Sequence, residues 1–324
     1  MQKINAGIVG GAGYTGGELL RLLLRHPQVN ISFVHSRSNA GKPVYNIHQD
    51  LNGETELVFS DTVKDADVIF LCLGHGESKV FLEKNKLGAG VKVIDLSHDF
   101  RLQENGVFGE REFVYGLPEL NKEAIRSAKN IANPGCFATA IQLGLLPLAK
   151  EGLLTEVFST GITGATGAGM RLSDSSHFSW RVNNIQAYKS LSHQHMNEVG
   201  ESLFQLAGNN TNINFIPWRG DFARGIFISS TLHCQLPLKH LVEMFREFYK
   251  DAPFTTVSEE PIAMKQVVNT NKCMVQIEKS ADTIVVHSTI DNLLKGASGQ
   301  AVQNMNLMFG LEETTGLNLK AIAF

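Results

Sequence analysis

The sequence is short of everything that would place it in an oxidising compartment or a bilayer. Its four cysteines, Cys72, Cys136, Cys234 and Cys273, are widely spaced in 324 residues with no C-x-x-C pair. That argues against a disulfide framework and for a reduced, cytoplasmic protein. No apolar run is long enough to span a membrane. The amino terminus, Met1-Gln2-Lys3-Ile4-Asn5, leads straight into a glycine-rich strand and turn, without the basic and apolar stretches of a targeting segment. Charge of one sign is also lacking: 29 Lys and Arg against 32 Asp and Glu leave a net charge of -3, and the bases are scattered, so there is no footprint for nucleic acid. Repeats and low-complexity linkers are missing. A soluble enzyme or a small-molecule sensor fits, and the length allows roughly two domains with cores of their own.

What is present changes texture near residue 150. Before it, strand signals at Ile4 to Val9, Val29 to Val34, Val68 to Leu73 and Val91 to Leu96 alternate with helical ones such as Glu18 to Arg25, which predicts an α/β parallel sheet built from βαβ units. After it, Ile226 to Leu236, Ala263 to Asn269, Cys273 to Lys279 and Thr283 to Ile290 read as strands, the last three too close together for long helices between them. A mainly antiparallel sheet is expected there. Lys239 to Tyr249 has one apolar helical face. The last helix, about Gly299 to Phe309, is apolar on one side and suited to packing back on the first domain.

Gly7 to Glu18 carries a strand end through a glycine turn into a helix, with Gly10, Gly13, Tyr14, Thr15 and Gly16 at the turn and helix start. Glycines there allow close backbone approach to a pyrophosphate, and the helix N-terminus offers N–H groups and positive dipole. The second strand runs into His35-Ser36-Arg37-Ser38 with no carboxylate to take a ribose 2′-hydroxyl. Ser36, Arg37 and Ser38 suit a 2′-phosphate instead, so NADP(H) is the expected cofactor.

Asn133-Pro134-Gly135-Cys136 precedes an apolar helical run beginning Phe137-Ala138-Thr139. Cys136 therefore falls at a helix N-terminus, where the dipole favours the thiolate nucleophile. A thiol nucleophile needs a proton-transfer partner. Ser192-His193-Gln194-His195-Met196-Asn197-Glu198 is the densest histidine cluster and precedes a helical run. If the helix includes His195, it shares a face with Glu198, which could orient the imidazole; His193 remains the other candidate. Two histidines without matched Cys or Asp spacing make a poor zinc site, and no metal is expected. A ketone reductase of the short-chain type would need Tyr-x-x-x-Lys, and none occurs. A non-catalytic NADP sensor would not need Cys136 or His195.

These residues resemble the N-acetyl-gamma-glutamyl-phosphate reductases, relatives of aspartate-semialdehyde dehydrogenase. The resemblance runs nearly end to end: the glycine turn from Gly11, Val93 to Arg101, Tyr115 to Leu120, Asn133 to Cys136, His177-Phe178, the His193/His195/Glu198 segment, Ala223 to Ile226, Asp291 to Ala297 and Gly299 to Asn304. It implies a Rossmann dinucleotide-binding domain (1–134 and 295–324) and an α+β catalytic and oligomerisation domain (135–294). It implies Cys136 as nucleophile forming a thioester, a histidine acid/base, a segment from Asn292 to Asn304 that returns to the cofactor, and a homodimer or homotetramer. The implied reaction is NADPH-dependent reduction of an acyl phosphate to an aldehyde in arginine biosynthesis. Arg101 and Arg224 are candidates for gripping a substrate carboxylate or phosphate, against structural ion pairs. The chain departs from the family at Phe137-Ala138-Thr139, at His193-Gln194-His195 and at Pro217-Trp218-Arg219-Gly220-Asp221-Phe222. These changes surround the expected substrate pocket and leave the acyl group open: N-acetyl foremost, with N-succinyl-glutamyl or aminoadipyl substrates as alternatives.

Overall fold

Short apolar runs separated by turn residues make the first sheet. The computed structural model describes residues 3–323. They divide into two units, one reaching Pro134 and resuming over Ala297–Asn318, the other Gly135–Gly296 together with the chain from Leu319. The first unit contains β1 (Ile4–Val9), α1 (Tyr14–Leu24), β2 (Val29–His35), β3 (Phe59–Ser60), β4 (Val68–Leu71), α2 (Glu77–Lys84), β5 (Lys92–Asp95), β6 (Val107–Phe108), β7 (Arg111–Tyr115), α3 (Pro118–Ser127) and β8 (Asn130–Ala132). Its eight strands are ordered β3-β2-β1-β4-β5-β8-β7-β6, parallel apart from the β6–β7 pair. β4 explains its all-apolar sequence by position, since each of its four residues is at most 1 % exposed, as in a strand covered on both faces.

The second unit begins with α4 (Cys136–Lys150), then β9 (Glu156–Thr163), α5 (Phe178–Arg181), β10 (Gln186–Ala187), α6 (His195–Ala207), β11 (Asn212–Arg219), β12 (Ile226–His233), α7 (Leu238–Phe248), β13 (Thr255–Ser258), β14 (Cys273–Ser280) and β15 (Thr283–Ile290). The sheet order is β10-β11-β9-β12-β15-β14-β13. Its pairs are antiparallel except β11 with β9 and β13 with β14. The helix α4 is buried continuously from Phe137 to Ala149, which accounts for its apolar character all round. Pro147 lies inside it and has no N–H to give the Leu143 carbonyl four residues back. The Tyr249 hydroxyl donates to that oxygen at 2.6 Å instead.

The expected strand over Ala263 to Asn269 does not form. Met264–Gln266 is a single 3-10 turn, and Asn269 takes a left-handed φ of 68°, its N–H donating to the Asp291 carboxylate at 2.8 Å. Val267 and Val268 are buried as loop residues, so their apolar character reports burial without pairing. The strand that pairs with β14 on that side is β13.

A π-helical turn, Leu294–Ser298, leads into α8 (Gly299–Met308), which belongs to the first unit. Two of its buried amides are tied within that unit. Asn304 Nδ2 donates to the Gly116 carbonyl at 2.8 Å and to Asn133 Oδ1 at 3.1 Å, and Asn306 Nδ2 donates to the Glu313 and Thr315 carbonyls. The tail departs from the expected division, because the chain from Leu319 groups with the second unit, where the Ala323 N–H donates to the Lys265 carbonyl. Among the described residues no helix is long and apolar enough to cross a membrane.

Candidate active site

The nucleotide turn of the first unit is shaped by what its glycines touch. Gly10 has a φ of 79°, and a Cβ there would lie 2.3 Å from the Cys72 carbonyl oxygen, so the turn itself requires glycine. Gly13 caps α1 in an extended conformation, and the nearest atom to a Cβ on it is 3.7 Å away. Internal packing therefore does not demand glycine at Gly13, whereas close approach of a ligand would. Tyr14, Thr15 and Gly16 form the first turn of α1, which carries no acidic side chain. An anion would meet free N–H groups and no opposing charge. Ser298, within the Asn292 to Asn304 segment, donates its hydroxyl to the Thr15 carbonyl at 2.9 Å and fixes that turn from α8's side.

At the end of β2, Ser36 is buried and its oxygen accepts from Asn39 Nδ2 at 3.2 Å. Arg37 and Ser38 are exposed in the 3-10 turn that follows. The arginine and one hydroxyl are thus displayed, while the other hydroxyl holds the turn.

In the second unit Cys136 is the first residue of α4, with Gly135 as its N-cap. The Gly135 N–H donates to Glu198 Oε2 at 2.9 Å, and the His195 ring packs on Gly135 so tightly that a Cβ there would lie 2.4 Å from Nε2. The helix α6 does include His195, so His195 and Glu198 share a face as the spacing predicts. Their closest N···O approach is nevertheless 3.9 Å, beyond hydrogen-bond reach. Glu198 anchors the turn that presents the cysteine. Gly296 closes the other side, where a Cβ would lie 2.8 Å from the Cys136 Cβ.

His193 is placed differently. Its ring lies edge-on to Phe137 and Phe215, with centroids 5.4 and 5.7 Å away, and its Nδ1 accepts the His195 N–H at 3.3 Å. Burial, with Lys189 adding to it, pushes its pKa down to about 4. A neutral ring accepting at Nδ1 carries its proton on Nε2, so His193 is not a cation near neutral pH. Tyr188 packs against the same ring at 6.0 Å, and burial together with the charge of Cys136 raises its phenol.

Three residues expected to bind ligands are engaged internally. Arg101 is buried, donating from Nε to the Asn133 carbonyl at 2.8 Å and from a terminal nitrogen to the Leu96 carbonyl at 2.9 Å. Arg224 makes two 3.0 Å bonds to the Asp291 carboxylate. Asn292 accepts the Gly225 N–H at 2.8 Å and donates to Thr166 Oγ1 at 3.0 Å. Among the described residues no group of three or more His, Cys, Asp or Glu side chains could hold a metal ion.

Residues 5–128 match the semialdehyde dehydrogenase NAD-binding domain and residues 136–292 the semialdehyde dehydrogenase dimerisation domain. The N-acetyl-gamma-glutamyl-phosphate reductase of Christiangramia forsetii is 57% identical over 98% of this chain and 99% of its own. The chain belongs to the N-acetyl-gamma-glutamyl-phosphate reductase family. Family members from Flavobacterium johnsoniae and Phocaeicola vulgatus are 55% and 53% identical, each over 99% of this chain and 100% of its own. The same fold is found in aspartate semialdehyde dehydrogenase II complexed with ASA from Vibrio cholerae, with a TM-score of 0.75 at 20% identity over 96% of this chain and 99% of that one. Aspartate semialdehyde dehydrogenase with NADP from Candida albicans gives 0.69 at 15% identity, over 95% and 99%. The reductase family therefore accounts for both units, the dinucleotide-binding sheet and the sheet that carries the cysteine helix.

Proposed function

We propose that this chain reduces an N-acyl-γ-glutamyl phosphate, N-acetyl foremost, to the N-acyl-glutamate 5-semialdehyde and phosphate, as a cytoplasmic step of arginine biosynthesis. The observation that carries the reading is Cys136 at the first position of α4, on a turn held by Glu198 and packed against His195. The Cys136 thiolate attacks the acyl-phosphate carbonyl carbon, the bond to the phosphate oxygen breaks, and phosphate leaves with the electron pair. The acyl group stays on sulfur as a thioester. NADPH, when bound, supplies the hydride that brings the thioester carbon to the aldehyde level. Backbone groups of Gly10, Gly13, Tyr14, Thr15 and Gly16, with Arg37 and Ser38, are suited to hold that cofactor. The N–H groups of the first turn of α4 stabilise the oxyanion at each tetrahedral stage. His195 gives a proton to that oxygen and takes it back as the carbon–sulfur bond breaks. Buried, neutral His193 positions His195 through its backbone N–H.

Mass spectrometry after mixing the chain with acyl phosphate, without cofactor, should find the acyl adduct on Cys136. Cys136→Ser should abolish turnover while NADPH binding stays nearly unchanged. Substantial turnover by the serine variant would remove the covalent mechanism. Phosphate-dependent NADP reduction, run side by side on N-acetyl- and N-succinyl-glutamate semialdehyde, identifies the acyl group.

The reading includes a homodimer or homotetramer. The second unit matches a dimerisation domain, and its sheet leaves Phe158 56% and Ile216 38% exposed. Trp218 and Phe227 line a shallow pocket on the same unit. Apolar groups gathered this way suit a second copy of the chain.

A further inference from the structure

With Arg101 and Arg224 tied to internal partners, a cation of the second unit suited to meet a substrate anion is Arg219, the last residue of β11. Its terminal nitrogen donates to Ser175 Oγ at 3.2 Å, and its guanidinium carbon sits 4.9 Å from the centre of the Tyr188 ring. Its Nε is buried and, among the described residues, has no hydrogen-bond partner. Nor does any described carboxylate pair with it. Arg181 lines the same small pocket, its terminal nitrogen donating to the Gly220 carbonyl. Burial and the charge of Arg219 lower the pKa of Arg181, against the opposing charge of nearby Asp221. Tyr188 links this pocket to the reacting centre, because it feels the charge of Cys136 and packs on His193.

A buried donor without a partner is destabilising until an acceptor reaches it. Contact with the Tyr188 ring and a hydrogen bond to that side chain hold the guanidinium in place and leave Nε for an oxyanion. We propose that Arg219, with Ser175, is a specificity-determining residue that binds an oxyanion of the substrate, a carboxylate or the phosphoryl group, beside Cys136. The inference rests on the acyl-phosphate reductase reading and adds a recognition residue to it. Arg219 lies in the segment Pro217 to Phe222, where the chain departs from its family's usual pattern.

The test runs the reaction in the oxidative direction, where aldehyde and inorganic phosphate are separate substrates with separate KM values. Arg219→Gln should raise one KM by about 10- to 100-fold, the loss of a hydrogen bond to a charged group, while kcat changes little. A rise confined to the semialdehyde assigns a carboxylate, and a rise confined to phosphate assigns the phosphoryl group. Arg219→Lys should recover part of the loss, and Ser175→Ala should raise the same KM by a smaller factor. Unchanged KM values for both substrates, or a fall in kcat alone, overturn the proposal. Should Arg219→Gln not fold, the Lys and Ala variants decide in the same way. Absence of phosphate-dependent NADP reduction by the unaltered protein would instead refute the underlying reaction.

Discussion

His193 and His195 stand two positions apart in different surroundings, and the proposal gives the proton transfer to His195. His195 opens α6 and lies on the turn before Cys136, whereas His193 is enclosed by aromatic rings and held neutral. An imidazole ordinarily titrates near 6.5. Because the folded value of His193 is lowered to about 4, its contribution to stability is fully present above about pH 6.5 and is lost as the pH falls toward 4. His193→Gln should therefore flatten the acid side of the stability curve in urea melts and leave the shape of the pH–rate profile alone. His195→Asn should slow turnover by ~10²–10⁴-fold with little change in KM. If instead the His193 variant alone loses the rate and its pH dependence, the assignment is reversed. At the other centre, Arg37→Ala should weaken NADPH by about 1.5–3 kcal/mol and NADH hardly at all; equal losses would mean Arg37 does not read the 2′-phosphate. The cysteine, the glycine turn and the His195–Glu198 face were legible because each is local in sequence. The bond from Glu198 to Gly135 spans 63 positions, and no periodicity reports a contact of that kind.

Among the elements, α4 depends on a distant partner. Its Pro147 frees the Leu143 carbonyl inside a fully buried helix, and the Tyr249 hydroxyl fills the vacancy. Tyr249→Phe should destabilise the protein by about 1–3 kcal/mol, the cost of a buried unsatisfied acceptor. In a Pro147→Ala background, where the backbone N–H is restored, the same change should cost less. Additive losses in a double-mutant cycle followed by denaturant melts would show that the two do not share one carbonyl. Elements with simple patterns, such as β1, β15 and α7, were legible to within a residue or so. β9 and β11 were not, because Ser159, Gly161 and Thr163 occupy inward positions of β9 and β11 contains two asparagines and Pro217. Alternation of burial is present there without alternation of hydrophobicity. The false strand at Ala263 to Asn269 is the converse, apolar residues buried in a turn.

For the whole molecule, the change in texture near residue 150 marked the passage from parallel to mainly antiparallel sheet. The place of the last residues was not legible, since a short tail can pair with whichever loop offers a free carbonyl. The exposed apolar positions of the second sheet give the assembly a test. Phe158→Lys with Ile216→Glu should lower the mass measured by light scattering to that of one chain, with little effect on the fold because both side chains face outward. An unchanged mass would place the contact between copies elsewhere.

The return of the chain through α8 sets an order of events at the ribosome. The second unit's strands are complete once residue 290 has been made, but the first unit still lacks the buried amides of Asn304 and Asn306. Until they arrive, the Gly116 carbonyl lacks the amide that bonds it in the folded chain. The half of the protein synthesised first is thus the half that must wait for the end of translation, and premature termination anywhere before α8 leaves the nucleotide-binding unit without that helix however much of the cysteine-bearing unit has formed.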